Sequence, residues 1–115
     1  MMLDSYEALN GYRIMWLYVM FDLPVESKPQ RRRAALFRKN LIKDGFAMHQ
    51  FSVYIRHCAS HESAAVHIKR VTNMVPIEGS VSILKVTDKQ FGDTIHVVGK
   101  RYTPPPATPV QLEFF

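Results

Sequence analysis

The pattern of apolar and polar positions divides this chain into alternating β-type and α-type segments. An almost continuous apolar run, residues 14–21, predicts a first strand within residues 12–23 that is covered on both faces. Pro24 ends this strand, because proline cannot donate to a ladder of backbone hydrogen bonds. Further β-type segments follow at residues 46–57, 81–86 and 94–98.

Helical periodicity begins shortly after the first strand. Ser27 is followed three residues later by Gln30, which is the pattern of a capping box, with a proline in the first turn. These signals predict a helix over residues 28–44 that Gly45 ends. Its buried stripe is expected to contain Ala34, Phe37 and Leu41, widened by Ala35 and Ile42.

The middle of the chain predicts a strand pair and a second helix. In residues 46–57 the alternation shifts phase by one residue near His49–Phe51, which indicates either a bulge or a very tight reversal. Ser60 can cap a second helix that runs to about Met74. The expected buried stripe of that helix comprises Ala64, Ile68, Val71 and Val75. Residues 88–92 are interpreted as a polar turn.

The order of these elements matches a ferredoxin-like βαββαβ plan of the α+β class, if residues 46–57 form a hairpin. We predict an N-terminal extension at residues 1–11, the ferredoxin-like domain at 12–99, and a proline-rich linker with a C-terminal docking strand at 100–115. The docking strand would present the alternating residues Val110, Leu112 and Phe114. A lone strand is not stable by itself, so it should add to a sheet edge in its own subunit or in a neighbour.

The apolar character of the strands also bears on assembly. Two helices would cover one face of the sheet, and the second face is expected to be covered by a second copy of the chain. A plain α/β monomer is the alternative.

The composition indicates in which cellular compartment the protein acts and which kinds of partner it can bind. Lysine and arginine outnumber the acidic residues 15 to 10, an excess that permits nucleic-acid binding but also occurs in merely basic proteins. A single cysteine excludes an intrachain disulfide and fits a reducing, cytoplasmic location. The longest apolar run is too short to span a bilayer, so no membrane association is expected.

The first helix carries an unusual concentration of positive charge. Seven of its residues are cationic, and near its end only Asp44 is acidic: the cations are Lys28, Arg31, Arg32, Arg33, Arg38, Lys39 and Lys43. A solvated helix usually mixes signs to gain ion pairs four residues apart. Cations with almost no partners are better explained by an absent polyanion such as a phosphate backbone, although a solvated face is the alternative.

Asp22 at the end of the first strand is the candidate catalytic and metal-ligating residue. An aspartate there could also simply cap the turn before Pro24. A hard cation, Mg²⁺ or another divalent ion, needs about six oxygen ligands, of which protein carboxylates usually supply one or two. One carboxylate per chain is few, but a twofold axis could bring two copies of Asp22 together.

Four segments together resemble the second CRISPR-associated protein family ("Cas two"), most closely its members from type II systems. They are Phe21-Asp22-Leu23-Pro24, the basic helix, Ser52-Val53-Tyr54 and residues 86–92. The resemblance implies a ferredoxin-like homodimer whose Asp22 residues lie near the twofold axis and bind magnesium. It also implies partners: the integrase, which is the first CRISPR-associated protein, and double-stranded DNA or RNA.

Two functions follow as expectations. The first is a dimeric adaptation protein that binds duplex DNA along residues 28–43 and bridges integrase subunits during spacer acquisition, with an accompanying magnesium-dependent endonuclease activity. The alternative is a metal-dependent, toxin-like endoribonuclease that acts without an integrase.

Overall fold

The main sheet of the protein has four antiparallel strands. The structure is a computed structural model that describes residues 13–99 and 101–103. The strands are β1 (Met15–Asp22), β2 (Ala47–Gln50), β3 (Val53–Cys58) and β4 (Ser80–Thr87), in the order β2-β3-β1-β4. The helices α1 (Lys28–Lys43) and α2 (His61–Met74) lie in the two crossover connections. This order confirms the predicted ferredoxin-like βαββαβ arrangement.

Strand β1 is central and is buried on both faces, as its continuous apolar run predicts. Its residues Met15, Leu17, Val19 and Phe21 join the core formed with α1 and α2. Trp16 points to the other face and packs with Ile55 and Phe91. Each large side chain buried in this way contributes roughly 1.5–3 kcal/mol to folding.

Helix α1 begins with the predicted capping box. The Ser27 side chain accepts a hydrogen bond from the backbone N–H of Gln30, and the Gln30 side chain accepts one from the backbone N–H of Ser27. The stripe of Ala34, Phe37 and Leu41 is buried as expected.

The predicted widening of the α1 stripe is wrong. Ala35 and Ile42 are exposed, Ile42 with 59% of its surface in solvent. Each residue turns the helix by about 100°, so both lie more than about 100° from the centre of the buried stripe. They therefore face away from the sheet.

The β2–β3 hairpin contains both features between which the sequence could not choose. The chain reverses tightly at Phe51 and Ser52. In addition, the pairing register shifts between Met48 and Gln50, so β2 is also irregular.

Residues 88–92 form a short helix, α3 (Asp88–Gly92), where the sequence interpretation placed a polar turn. Thr87 and Gln90 form a second capping box at its start. Phe91 is buried and stacks on Trp16, with ring centroids 3.8 Å apart, and the Trp16 indole N–H donates to the Asp88 carboxylate over 2.7 Å. The polar-turn interpretation is therefore wrong, because it overlooked the capping pair and the apolar Phe91 one turn later.

The remaining elements are a second helix close to the predicted one and a small additional sheet. Ser60 caps α2, in which Ala64 and Val71 are buried while Ile68 and Val75 are partly buried. Strand β5 (His96–Val98) pairs with β6 (Arg101–Thr103) in a separate two-stranded sheet. No helix of the described residues is long and apolar enough to cross a membrane. The predicted extension at residues 1–11 and the docking residues Val110, Leu112 and Phe114 lie outside the described residues.

Candidate nucleic-acid interface

Asp22 is the last residue of β1, and its side chain is exposed. The turn before β4 packs directly against this strand end. Gly79 has a φ of +104°, and a Cβ atom on it would lie 2.9 Å from the carbonyl oxygen of Asp22 and 2.7 Å from the Leu23 side chain. Only glycine fits there without strain, and the close approach fixes the backbone that carries the carboxylate.

The donor set at Asp22 limits the kind of metal it can hold. No group of three or more His, Cys, Asp or Glu side chains lies together anywhere in residues 13–99. Magnesium usually takes only one or two protein carboxylates and completes its shell with water and phosphate oxygens. The single carboxylate fits that role if a second copy of Asp22 or a substrate phosphate supplies the other charged oxygens.

Four cations of α1 form an exposed row on the side of the helix opposite its buried stripe. We call Lys28, Arg32, Lys39 and Lys43 the basic row. Their spacings of four, seven and four residues place them within about 60° of one another around the helix axis. Within the described part of the chain, none of them takes part in an ion pair. The basic row is thus a line of exposed charge without an internal counter-charge among those residues.

The other three cations of α1 have internal partners, so the expectation that nearly all seven lack them is wrong for these. Arg33 pairs with Glu78 at 3.0 Å, and Arg31 donates to the carbonyl oxygens of Val25 and Glu26 at 3.2 and 3.1 Å. Arg38 is half-buried, and its guanidinium lies over the Phe21 ring. Sequence could not reveal these contacts, because the partners come from loops and strands that only the fold brings near.

Polar contacts hold α1 at both ends. At its start, Glu78 accepts hydrogen bonds from Gln30 and Arg33 at 2.9 and 3.0 Å. At its end, the Asp44 carboxylate, only 9% exposed, hydrogen-bonds to His67 at 2.7 Å and to Arg70 at 3.0 Å. The basic row therefore lies on a helix that is fixed to α2 and to the loop before β4.

Asp44 is a structural residue beneath this site whose partners the sequence did not predict. In the sequence, Asp44 stands out only as an acidic exception among the cations. An aspartate at the negative end of the helix dipole is disfavoured unless cations compensate it. That conflict is the signal from which a buried partner for Asp44 could have been predicted.

The second face of the sheet is covered only in part. Tyr18, His49 and His96 lie together there, with the two histidine ring centroids 5.2 Å apart. Burial raises the pKa of Tyr18, and burial together with the nearby His96 lowers the pKa of His49. Leu84, on the same face, remains 47% exposed. This face combines partly buried tyrosine and histidine side chains with uncovered apolar surface.

Cys58 lies in the main core beneath α2. Burial raises the pKa of its thiol, which keeps it in the unreactive protonated form at neutral pH. The environment of Cys58 therefore disfavours a thiolate.

Comparison with known proteins gives one consistent result. A profile of the family described as CRISPR associated protein Cas2 matches residues 15–94. The CRISPR-associated endoribonuclease Cas2 of Flavobacterium psychrophilum is 46% identical over 112 residues, which cover 97% of this chain and 97% of that protein. The protein of the same name from Parvibaculum lavamentivorans is 50% identical over 101 residues, covering 88% of this chain and all of that one.

A solved structure supports the same relationship. The crystal structure of a cas2 protein superposes with a TM-score of 0.53 at 27% identity, over 81% of this chain and 94% of that one. The residues matched by the family profile run from β1 to just beyond α3, so they include Asp22 and the whole basic row.

Proposed function

This chain belongs to the family of CRISPR-associated proteins Cas2, and on that premise we propose that it is a dimeric adaptor of CRISPR adaptation. In this role it binds duplex DNA along α1 and bridges copies of the integrase while a new spacer is acquired. The observation that carries the proposal is the basic row, whose exposed charges lack internal partners among the described residues.

Binding along the basic row would follow from simple electrostatics. Each lysine or arginine that neutralises a phosphate releases condensed counterions, which favours binding at low salt and gives it a steep salt dependence. Such contacts position a duplex without reading its sequence, which suits a protein that must accept spacers of any sequence. The contacts at both ends of α1 keep the charges in place before the duplex arrives.

A second copy of the chain completes the proposed site. The sheet face bearing Leu84 keeps apolar surface uncovered, and Ile95 and Val97 nearby are 72% and 62% exposed. An isolated two-stranded hairpin such as β5–β6 is marginal by itself and gains stability when another element pairs with it or covers it. Dimerisation through this face would account for both features. The segment with Val110, Leu112 and Phe114 stays the proposed docking strand for the partner subunit or the integrase.

Asp22 would provide the chemical part of the site. In the dimer, its two copies would hold Mg²⁺ or another divalent cation. When bound, magnesium polarises a phosphate and lowers the pKa of a bound water. The protein's own contribution is to orient two carboxylates on rigid strand ends and to hold the phosphate backbone with cations.

The second candidate function is a metal-dependent endoribonuclease that acts without an integrase. The observation that favours it is the name of the relatives, both called endoribonuclease, at 46% and 50% identity over most of this chain. This candidate predicts growth arrest when the protein is expressed alone, whereas the adaptor predicts none.

The basic row is tested by reversing two of its charges, with Arg32→Glu and Lys39→Glu combined. We expect weaker binding to a blunt duplex and a log–log salt dependence less steep by roughly two units, since each lost phosphate contact removes about 0.9. Fluorescence anisotropy at several salt concentrations measures both quantities.

The matched control carries the same change of charge elsewhere, with Lys69→Glu and Lys89→Glu combined. Both lysines are exposed and lie on other helices. An equal loss of affinity in the two double variants would show that binding depends on net charge. It would contradict binding along the basic row.

A further inference from the structure

Two histidines from different elements meet on the second face of the sheet, the face opposite α1 and α2. His49 belongs to β2, and His96 is the first residue of β5. Their ring centroids lie 5.2 Å apart, with an angle of 79° between the ring planes. Both side chains keep part of their surface in solvent, so a small ion has access to the pair.

The irregularity of β2 directs His49 toward this face. The pairing register with β3 shifts between Met48 and Gln50, so His49 is the extra residue of the strand. A bulge of this kind re-aims the side chain that it carries. The Tyr18 ring then packs edge-to-face against the imidazole, with centroids 6.1 Å apart, which fixes the position of His49.

His96 has an imidazole nitrogen that the fold does not use. Its Nε2 is buried and has no hydrogen-bond partner among the described residues. Buried polar atoms in folded proteins nearly always have a partner, and one without a partner costs stability unless water or an ion completes its bonding. This nitrogen is therefore free to bind a ligand from outside the chain.

The separation of the two rings is the one that a shared metal ion requires. A zinc–nitrogen bond of about 2.0–2.1 Å puts the ion roughly 3.2 Å from the centroid of an imidazole ring. At a tetrahedral angle, two such rings have centroids about 5.2 Å apart, which is the separation observed here. Simple edge-to-face packing also falls in this range, roughly 4.5–7 Å, so a metal titration is needed to separate the two.

The ligand type selects the metal. Imidazole nitrogen suits zinc and the other late first-row divalent ions, whereas magnesium prefers the oxygen of carboxylates and water. Within residues 13–99, no third His, Cys, Asp or Glu joins the pair. Water or a second copy of the chain must therefore supply the rest of the four ligands that zinc takes.

We propose that His49 and His96 chelate one Zn²⁺ ion, or another late first-row divalent ion, on the second face of the sheet. The ion ties β2 of the main sheet to β5 of the small one. It thereby stabilises the β5–β6 hairpin, which is marginal by itself. The inference goes beyond the proposed function and does not depend on nucleic-acid binding.

The test is a calorimetric titration of the full chain with Zn²⁺ after treatment with EDTA and its removal. An excess of magnesium is present to occupy sites built from oxygen ligands, Asp22 included. We expect a dissociation constant in the micromolar range and one ion per chain, or one per two chains if a second copy completes the shell. Co²⁺ in place of zinc should give the visible absorption of a nitrogen-coordinated ion.

His49→Gln and His96→Gln each remove one ligand and keep a polar side chain. Each should weaken zinc binding at least tenfold, because even the groups that support a ligand from behind are worth roughly 10–100-fold in affinity. The matched control is His61→Gln, since His61 is an exposed histidine on α2 and its loss should change nothing. Circular dichroism without metal verifies the fold of all variants.

Thermal unfolding gives a second readout. Zinc should raise the melting temperature of the wild type, because only the folded chain brings both rings together. It should leave the melting temperature of His96→Gln unchanged.

Three outcomes overturn the inference. Wild-type protein that binds no zinc would show that the two rings only pack edge-to-face. Binding that survives in either His49→Gln or His96→Gln places the ion elsewhere, and so does an equal loss in His61→Gln. None of these outcomes bears on the proposed adaptor, which is tested by duplex binding.

Discussion

At the scale of single residues, the edge around Asp22 combines exposed functional groups with a tightly constrained backbone. Gly79 fits against the strand end only because it lacks a Cβ atom, whereas Asp22 itself is open to solvent. In residues 13–99 Asp22 takes part in no ion pair. Its carboxylate therefore adds little to stability, and a substitution there reports on chemistry and not on folding.

Asp22→Asn keeps the shape of the side chain and removes its charge. We expect the free energy of unfolding to change by less than about 0.5 kcal/mol, because the residue is exposed. Magnesium-dependent cleavage should be lost, while duplex binding and spacer acquisition persist. Nuclease assays on the purified variant measure cleavage. Acquisition assays in cells that express the same variant measure spacer acquisition.

Asp93→Asn is the matched control, since Asp93 is also an exposed aspartate outside the proposed site. Loss of acquisition in a well-folded Asp22→Asn dimer would count against the adaptor reading. Cleavage that survives the substitution would instead remove Asp22 from the catalytic role.

The sequence predicted the exposed residues better than the residues whose side chains contact distant parts of the chain. The position of Asp22 and the exposure of the basic row follow from strand length and helical spacing, which are local properties. The Asp44 pair with His67 and the position of Arg38 between the Phe21 and Phe51 rings depend on contacts 13 to 23 residues away along the chain. No local pattern encodes such contacts.

At the scale of elements, α3 decides how much of the second sheet face is closed. Its single buried side chain, Phe91, covers Trp16, and the Asp88 carboxylate holds the indole N–H. A five-residue helix cannot be stable alone, so its stability comes from this packing.

Phe91→Ala should detach α3 from the sheet. We expect a loss of about 3–5 kcal/mol in the free energy of unfolding, the usual cost of truncating a buried phenylalanine. The chain has one tryptophan, so its emission reports directly on the uncovered site and should shift to longer wavelength.

Ile77→Ala is the control for this substitution, because Ile77 is 90% exposed in the loop before β4, away from α3. It should alter neither stability nor emission. Unchanged tryptophan emission in Phe91→Ala would show that the stacking contact does not protect Trp16.

The longer elements were predictable because each carries several consistent signals. Helix α1 has a capping box, a buried stripe and a terminal glycine, and its ends were predicted to within one residue. Helix α3 offers one turn and one apolar residue, too few to establish a period. In the β2–β3 hairpin, the phase change was correct but compatible with two causes, both of which occur.

At the scale of the whole molecule, the two faces of the sheet differ. Both long helices cover one face, and α3 with the segment after it covers only part of the other. This asymmetry is the structural argument for a second copy, because uncovered apolar surface next to a sheet favours association.

Leu84→Glu places a charge on the partly uncovered face and should convert the proposed dimer to a monomer. Val66→Glu is closely matched, since Val66 is 48% and Leu84 47% exposed, but Val66 lies on α2, which packs on the other side of the sheet. Light scattering after gel filtration should give the mass of one chain for the first variant and of two for the second. Dimers in both variants would show that the dimer interface lies on a different surface.

The contacts that hold both ends of α1 also fix the distance over which its charges can contact a phosphate backbone. A rigid helix keeps a constant distance between its first and last charges, and the fifteen-residue step from Lys28 to Lys43 corresponds to roughly 22 Å. At about 3.4 Å per base pair, that is the rise of about six and a half base pairs of B-form DNA. Each subunit would thus carry a molecular ruler, and a symmetric pair would set a minimum footprint of about a dozen base pairs whatever their sequence.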